Sequence, residues 1–235
     1  WAHEIYTKSF DHYLDVDKCF KCAVKIAEKL DDASKLNRAK MGLLSMHDRD
    51  GDHVAAAEIA LDLNALETAI VQYEKAHLEE RAAELCLKIG YKDRALRDYE
   101  RADTEHTGMY KKERIRLARE LAYSANSEGD SYLALDYFKR AAAVGDPSSA
   151  SDAARTAHAL RLYEVAIPYY KLAGEWEYKE QDVITDARKY VGILFANGEI
   201  TESLKLAELV DHPSLEIYRK YAAQLREIQR AERSK

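Results

Sequence analysis

The chain has 235 residues, which is long enough to bury a substantial hydrophobic core. It contains 33% charged and 47% hydrophobic residues but only 9 Gly and 3 Pro. Because the turns between strands are rich in Gly and Pro, this composition predicts an all-α protein. The formal net charge of -6 argues against the basic surface that nucleic acids and anionic membranes attract, and no apolar run reaches the ~18 residues of a membrane span. We therefore expect a cytoplasmic protein that neither binds nucleic acid nor inserts into a membrane.

Residues 1–50 are expected to form N-terminal helices of an atypical repeat. They contain "CFKC", whose Cys19 and Cys22 have the spacing of a metal or redox pair. A zinc site would need further ligands, and His3 or His12 could supply them. The alternative is burial as small hydrophobes, because one helical stripe would hold Cys19, Ala23, Ile26 and Leu30, with Cys22 on its border. Three cysteines in total make a reducing compartment the simpler expectation.

The segment "HDRDGDHVAAAE", residues 47–58, poses a choice between a calcium loop and a turn. A helix–loop–helix calcium site has its glycine sixth, whereas Gly51 is fourth when counted from Asp48. The segment aligns instead with "SEGDSYLALD" further along the chain. We therefore predict that Gly51 ends one helix and that Asp52 is an N-cap or a first-turn carboxylate of the next.

Residues 51–212 contain a degenerate repeat. Six triplets place a small residue, an apolar residue four later and another three after that on one helical stripe. They are Ala56, Ala60 and Leu63; Ala69, Tyr73 and Ala76; Ala95, Tyr99 and Ala102; Ala134, Phe138 and Ala141; Ala166, Tyr170 and Ala173; and Ser203, Ala207 and Val210. In four of them a glycine stands five residues earlier, at Gly51, Gly90, Gly129 and Gly198. These positions predict helix–turn–helix units, about ten to twelve helices in all, no sheet, and longer connections near "DTEHTGMYKKE" and "AGEWEYKEQD".

The unit over residues 116–147, "RLARELAYSANSEGDSYLALDYFKRAAAVGDP", resembles a tetratricopeptide repeat, and "YFKRAAAVGDPSSA" is also similar to a Sel1-like repeat. The next two units match more loosely, and the N-terminal half matches only in helix periodicity. The resemblance implies a right-handed α-solenoid of antiparallel helix pairs, formed as one continuous domain with a concave face that binds other proteins.

The last segment, residues 213–235, follows Pro213 with the pattern of an amphipathic helix. Its apolar positions are Leu215, Tyr218, Ala222, Leu225 and Ile228. A solenoid needs a final helix with one polar side to cover its last hydrophobic face, so we expect a capping helix here. The alternative is a docking helix for another subunit.

The resemblance also implies which residues face the groove, namely those that flank the small-residue stripe of each first helix. They are Arg116, Arg119, Tyr123, Asn126, Arg155, His158, Arg188 and Lys189, with Arg81 extending the series. Several arginines on one surface of an acidic protein favour an acidic segment or a free C-terminal carboxylate of a partner protein. An evenly solvated charged face is the alternative.

Three functions remain open at this level. The first is a non-enzymatic interaction scaffold that needs no cofactor. The second is the helical tail of a larger machine, such as a vesicle-coat or ciliary-transport subunit or a signalling ATPase; the start at Trp1 suggests a segment of a longer polypeptide. The third is an all-α enzyme or metalloprotein that uses Cys19 and Cys22.

Overall fold

The structure is a computed structural model that describes residues 2–16, 19–105 and 108–233. Within these ranges it is all-helical, with fourteen α-helices, one short π-helix and no strand, which confirms the all-α prediction. The expected ten to twelve helices were too few. The helices are α1 (Ala2–Asp11), the π-helix (His12–Val16), α2 (Phe20–Leu30), α3 (Ala33–Asp50), α4 (His53–Asp62), α5 (Leu66–Lys75), α6 (Glu79–Lys88), α7 (Lys92–Glu105), α8 (Lys111–Ser127), α9 (Ser131–Ala143), α10 (Pro147–Ala159), α11 (Tyr163–Leu172), α12 (Trp176–Ala196), α13 (Ile200–Leu209) and α14 (Leu215–Arg233).

The chain divides into two compact units, residues 1–114 and residues 115–235, with the division near the start of α8. We call them the N-terminal and the C-terminal unit. In the N-terminal unit each helix from α1 to α7 packs against the next one in the chain. In the C-terminal unit the same holds from α9 to α14, and α11 also contacts α13. None of the described helices combines the length and the apolar character that crossing a membrane requires.

The N-terminal helices pack around a small core of their own. Its buried members are Phe10, Leu14, Ala23, Ala27 and Ala39. Phe20 at the start of α2 lies against the backbone of α3 at Gly42, where an added Cβ would stand 2.3 Å from the phenyl ring. Gly42 therefore permits the close approach of α2 and α3.

Nearly every connection from α2 onward is built on one residue with a positive φ. At Gly51 φ is 81° and at Gly90 it is 85°, and Gly129 and Gly198 are alike, so the four predicted glycine turns are confirmed. The same conformation occurs without glycine at Asp31, Asn64, His77, Arg161 and Asp211. In most of these turns the next N–H bonds the carbonyl five residues earlier, as in Ala65 N–H to Ala60 O (2.8 Å), which closes a Schellman turn.

The predicted stripes form the core. The first residue of all six triplets is fully buried, and so is the second or nearly so. The third position is less uniform, because Leu63, Ala76 and Ala173 are only half-buried at helix ends. Ala82, an equivalent small residue that was not predicted from the sequence, is also fully buried.

The segment around Gly51 is the predicted turn. Gly51 ends α3, and the Asp52 carboxylate accepts a hydrogen bond from the Ala55 N–H (3.2 Å) as the N-cap of α4. Asp48 pairs with Lys75 of α5 at 2.7 Å. The carboxylates of Asp48 and Asp52 therefore stabilise the α3–α4 turn and its contact with α5.

Two other local expectations are wrong. The stretch "AGEWEYKEQD" is not a long connection: Gly174 makes a tight turn, and the spacing is long because α12 has 21 residues. Cys19 and Cys22 are not buried small hydrophobes; both are half-buried and their sulfur atoms are joined as a disulfide. Cys19 is the N-cap residue of α2 and Cys22 lies in its first turn, which brings the two side chains together.

The last described helix, α14, packs on α13. Tyr218 contacts the Phe195 ring at 4.5 Å between centroids, and Ala222 is buried. Ile217 and Ile228 are exposed, by 67% and 55%. The helix therefore covers α12 and α13 with one face, and its capping role remains a prediction.

Candidate functional site

The predicted groove residues of the C-terminal unit lie on α8, α10 and α12. Each helix buries an apolar face, formed on α10 by Ala150, Ala153, Ala154 and Ala157, which are fully buried. Since residues on the opposite side of such a helix cannot enter the core, its longer polar side chains point toward solvent. Two adjoining cavities lie among these side chains, and together we call them the groove.

The first cavity, of about 480 Å³, lies between α8 and α10 and is bounded by the α11–α12 connection. Arg119 contacts Tyr123 by a hydrogen bond of 3.2 Å and lies over its ring. The Tyr123 hydroxyl then donates to Asp152 of α10 at 2.9 Å. On the far side, Ser151 donates to Glu175 at 2.6 Å. The cavity is therefore lined by polar groups that already bond one another.

The second cavity, of about 560 Å³, lies between α10 and α12 and shares Arg155 with the first. Its aromatic wall is a cluster in which His158 contacts the rings of Tyr163 (5.5 Å) and Tyr170 (6.2 Å), and Tyr163 contacts Tyr190 (5.9 Å). Tyr163 and Tyr170 are buried, with 5% and 2% of their surface exposed. Their hydroxyl groups give an otherwise apolar wall its polar character.

Most of the groove's cations are paired with carboxylates from the same surface. Arg119 lies 3.7 Å from Asp146, and Arg155 donates to Asp152 at 2.7 Å. Asp186 accepts a hydrogen bond from Lys189 at 3.4 Å, and Nε2 of His158 lies 3.4 Å from its other carboxylate oxygen. The groove is therefore a mosaic of both charges, in which Arg119 and Arg155 already have acidic neighbours on the protein.

The pKa shifts in the groove preserve its ordinary charge states. Hydrogen bonding to Tyr123 raises the pKa of Arg119, and hydrogen bonding to Asp152 raises the pKa of Arg155. Burial raises the pKa of both Tyr163 and Tyr170. The arginines thus stay charged and the tyrosines stay protonated at neutral pH, so the groove offers fixed hydrogen-bond donors.

The structure brings five of the nine predicted residues together, since Arg119, Tyr123, Arg155, His158 and Lys189 line the groove. The remaining four lie elsewhere. Arg116 pairs with Glu120 on α8, Asn126 is exposed and outside both linings, and Arg188 bonds the carbonyls of Val210 and Asp211. Arg81 belongs to the N-terminal unit, where it lies over the Tyr73 ring.

The groove also contains two carboxylates, Asp152 and Asp186, and a turn residue, Arg161, that were not predicted from the sequence. Asp152 stands three residues before Arg155 and Asp186 three before Lys189, a spacing that pairs opposite charges on a helix and could have revealed them. Arg161, Tyr163 and Tyr190 also line the second cavity. Arg161 aligns with the turn glycines, but an arginine at a turn is not a recognisable signal.

Among the residues that the structure describes, no group of three or more His, Cys, Asp or Glu side chains is arranged to hold a metal ion. Cys19 and Cys22 are bonded to each other, and His3 is exposed on α1. A comparison of the sequence with models of known protein families gives no match, and neither does a comparison with curated proteins.

Proposed function

We propose that the chain is a non-enzymatic protein-interaction scaffold whose groove on α8, α10 and α12 binds an extended segment of a partner protein. The observation that supports this most strongly is the continuity of the groove, because Arg155 lines both cavities. Concave surfaces with exposed aromatic side chains and ordered donors suit peptide recognition. Tyr123, 48% exposed, and Ile193, 44% exposed, supply apolar contact area in the first and second cavity.

The same proposal includes the arrangement of the helices, which we take to be a right-handed α-solenoid of degenerate tetratricopeptide-like units. Two features support it. Consecutive helices pack against each other within each unit, and α11 also contacts α13, as stacked helix pairs would. The recurrent turn with one positive φ gives successive helices similar connections.

The partner we propose is a protein with an acidic segment. An incoming carboxylate would exchange with Asp152 or Asp186 for the same cations, so the gain in free energy from charge is small. Apolar contacts would then supply most of the affinity, while the charges fix the register and the specificity. Binding should for this reason weaken only moderately with salt.

The experiment is site-specific photo-crosslinking in a lysate of the source organism. A photoreactive amino acid replaces Ser148 in the first cavity or Ile193 in the second, and a control replaces Lys205, an exposed residue on α13 outside both linings. We expect the same protein to cross-link at Ser148 and Ile193 and not at Lys205. Equal labelling at all three positions, or labelling at Lys205 alone, would show that the groove is not the binding surface.

The captured protein is then tested against groove variants. Arg119→Gln together with Arg155→Gln removes two donors without adding a negative charge beside Asp146 and Asp152. Arg219→Gln is the control, because Arg219 pairs with Glu208 and Glu216 away from the groove. We expect capture to fall about tenfold in the double variant, because exchange with Asp146 and Asp152 leaves each charge-assisted bond a net contribution of about 0.5–1 kcal/mol. Wild-type capture by the double variant would contradict the proposal.

A further inference from the structure

The connection between α10 and α11 has an unusual residue at its positive-φ position. Arg161 has φ 62°, and the Leu162 N–H bonds the Ala157 carbonyl at 2.8 Å, as in the other turns of this kind. Elsewhere in the described chain the position is taken by Gly, Asn, Asp or His, which tolerate this conformation better than most residues. Arg161 is the one long side chain among them, so the turn itself gives no reason for an arginine.

The surroundings of the Arg161 side chain, outside the turn, give a reason for an arginine at this position. Its guanidinium lies 5.2 Å from the centroid of the Tyr190 ring, where it lines the second cavity of the groove. The residue is exposed. Stacking on an aromatic face fixes the guanidinium plane and leaves its N–H edge available for a ligand.

Arg161 also differs from the other groove cations in charge balance. Arg119, Arg155 and Lys189 each have a carboxylate within 4 Å, whereas Arg161 has none among the described residues. The second cavity therefore contains one permanent positive charge that the protein does not neutralise. One monoanion would balance it.

We infer that Arg161 recognises a single carboxylate of the partner segment, from an Asp or Glu side chain that is flanked by apolar residues. The inference rests on the proposed function of the groove and specifies what the groove selects. The fork of N–H groups on the guanidinium matches a carboxylate in a bidentate pair. Ile193, 44% exposed at the same cavity, receives the apolar neighbour.

The direct test is an NMR titration of the ¹⁵N-labelled 235-residue chain, with the arginine Nε–Hε signals as the readout. The probe is N-acetyl-Leu-Glu-Leu-amide, and its control is the same tripeptide with Gln in place of Glu. We expect the Glu peptide to shift the Arg161 Nε–Hε signal in a saturable way. The Gln peptide should bind at least about tenfold more weakly, because it lacks the charge of the carboxylate.

A pair of variants separates recognition from folding. Arg161→Gly should abolish the preference for Glu over Gln while leaving the unfolding midpoint equal to or above that of the wild type, since glycine suits a positive φ. Asp211→Gly is the matched control, because Asp211 has φ 46° in the same unit and lies outside the groove. It should keep the full preference for Glu.

The outcomes are distinct. Equal binding of the Glu and Gln peptides, or a saturable shift at Arg155 and not at Arg161, would overturn the inference. So would an Arg161→Gly variant that keeps the preference or loses its fold. If the natural partner cross-links at Ser148 and Ile193 and is retained in full by Arg161→Gly, the groove function stands and only the role of Arg161 is wrong.

Discussion

Arg188 of α12 donates hydrogen bonds to the backbone carbonyl of Val210 at 3.1 and 3.3 Å, and to that of Asp211 at 3.1 Å. These carbonyls follow the last turn of α13, where helical partners are missing. A charged donor there satisfies them and opposes the negative end of the helix dipole. Arg188 thus links the C-terminal end of α13 to α12 by hydrogen bonds.

We therefore expect Arg188→Ala to lower the free energy of unfolding by about 1–3 kcal/mol, since hydrogen bonds to a charged group are lost. Partner capture should be unaffected, because the side chain lies outside the lining of the groove. Urea unfolding checks the first expectation, with Arg226→Ala, at an exposed position of α14, as the control. Loss of capture at unchanged stability would show instead that Arg188 contacts the partner.

A second prediction concerns Asp98, which is 1% exposed in the N-terminal unit. Its Oδ2 accepts the Cys86 thiol at 3.7 Å, and its Oδ1 has no hydrogen-bond partner among the described residues. Burial, followed by the charge of Glu74, raises the pKa of Asp98 to about 6, while Arg94 and Arg101 oppose the rise. Glu74 itself pairs with Arg94 at 2.7 Å, and its pKa is lowered.

The sign of the pH effect follows from the raised pKa. Below about pH 4 Asp98 is protonated in the folded and the unfolded chain, so it does not affect the balance. Between about pH 4 and pH 6 the unfolded chain releases this proton and the folded chain retains it, so stability falls as pH rises. We expect Asp98→Asn to remove this fall and to be more stable than wild type above pH 6 by about 2–3 kcal/mol.

Urea unfolding at a series of pH values checks this expectation. Glu58→Gln, which replaces an exposed carboxylate on α4, is the control and should follow the wild-type curve. Other carboxyl groups titrate in the same range, so the readout is the difference in unfolding free energy between Asp98→Asn and wild type. If that difference does not grow as the pH rises from about 4 to about 6, Asp98 is ionised at no cost in the folded protein.

How far the sequence predicted the structure is visible in the turns. Gly51, Gly90, Gly129 and Gly198 were recognisable because glycine marks a positive φ. Asn64, His77, Arg161 and Asp211 adopt the same conformation but could not be recognised, since these residues occur in many other settings. Because His77 gave no such signal, Ala82 in the helix that follows it was not recognised as a core residue.

The groove was predictable to a similar degree. The resemblance to tetratricopeptide repeats implied that Arg119 and Arg155 face the groove, because both flank a small-residue stripe along one helix. The partners of these residues depend on which helix lies beside which. Asp146 reaches Arg119 from the start of α10, and Tyr123 bonds Asp152 across two helices. No spacing within a single helix contains that information.

A third prediction tests the packing of α9. Ala134 is fully buried, at a position where a small residue lets neighbouring helices approach. We expect Ala134→Leu to lower the free energy of unfolding by about 1–3 kcal/mol, because the added atoms force both neighbours to move. The control is Leu133→Ala at the adjacent, 42% exposed position, which should change stability by less than about 1 kcal/mol. Equal effects of the two changes would show that Ala134 is not at a close helix contact.

The last prediction concerns the turns of the N-terminal unit, which offer a matched set. Gly51, Asn64, His77 and Gly90 stand at 13-residue spacing, each at the end of a helix and each with a positive φ. An added Cβ at Gly90 would meet no atom within 4 Å, so a substitution there strains the backbone without causing a clash. The same is true at Gly51.

The four positions therefore isolate the free energy of the backbone conformation. We expect Gly90→Ala to lower the unfolding free energy by about 1 kcal/mol, and His77→Gly to raise it by up to about 1 kcal/mol, because a left-handed conformation is costly for residues with a Cβ. Within the described part of the chain, the 81% exposed side chain of His77 pairs only with Glu79, at 3.7 Å, so little is lost with it. Thermal and urea unfolding of both variants measure whether each change lowers or raises the unfolding free energy. If His77→Gly is destabilising by as much as Gly90→Ala, the His77 side chain supports its turn, and the conformation of the connections is not what sets their residue preference.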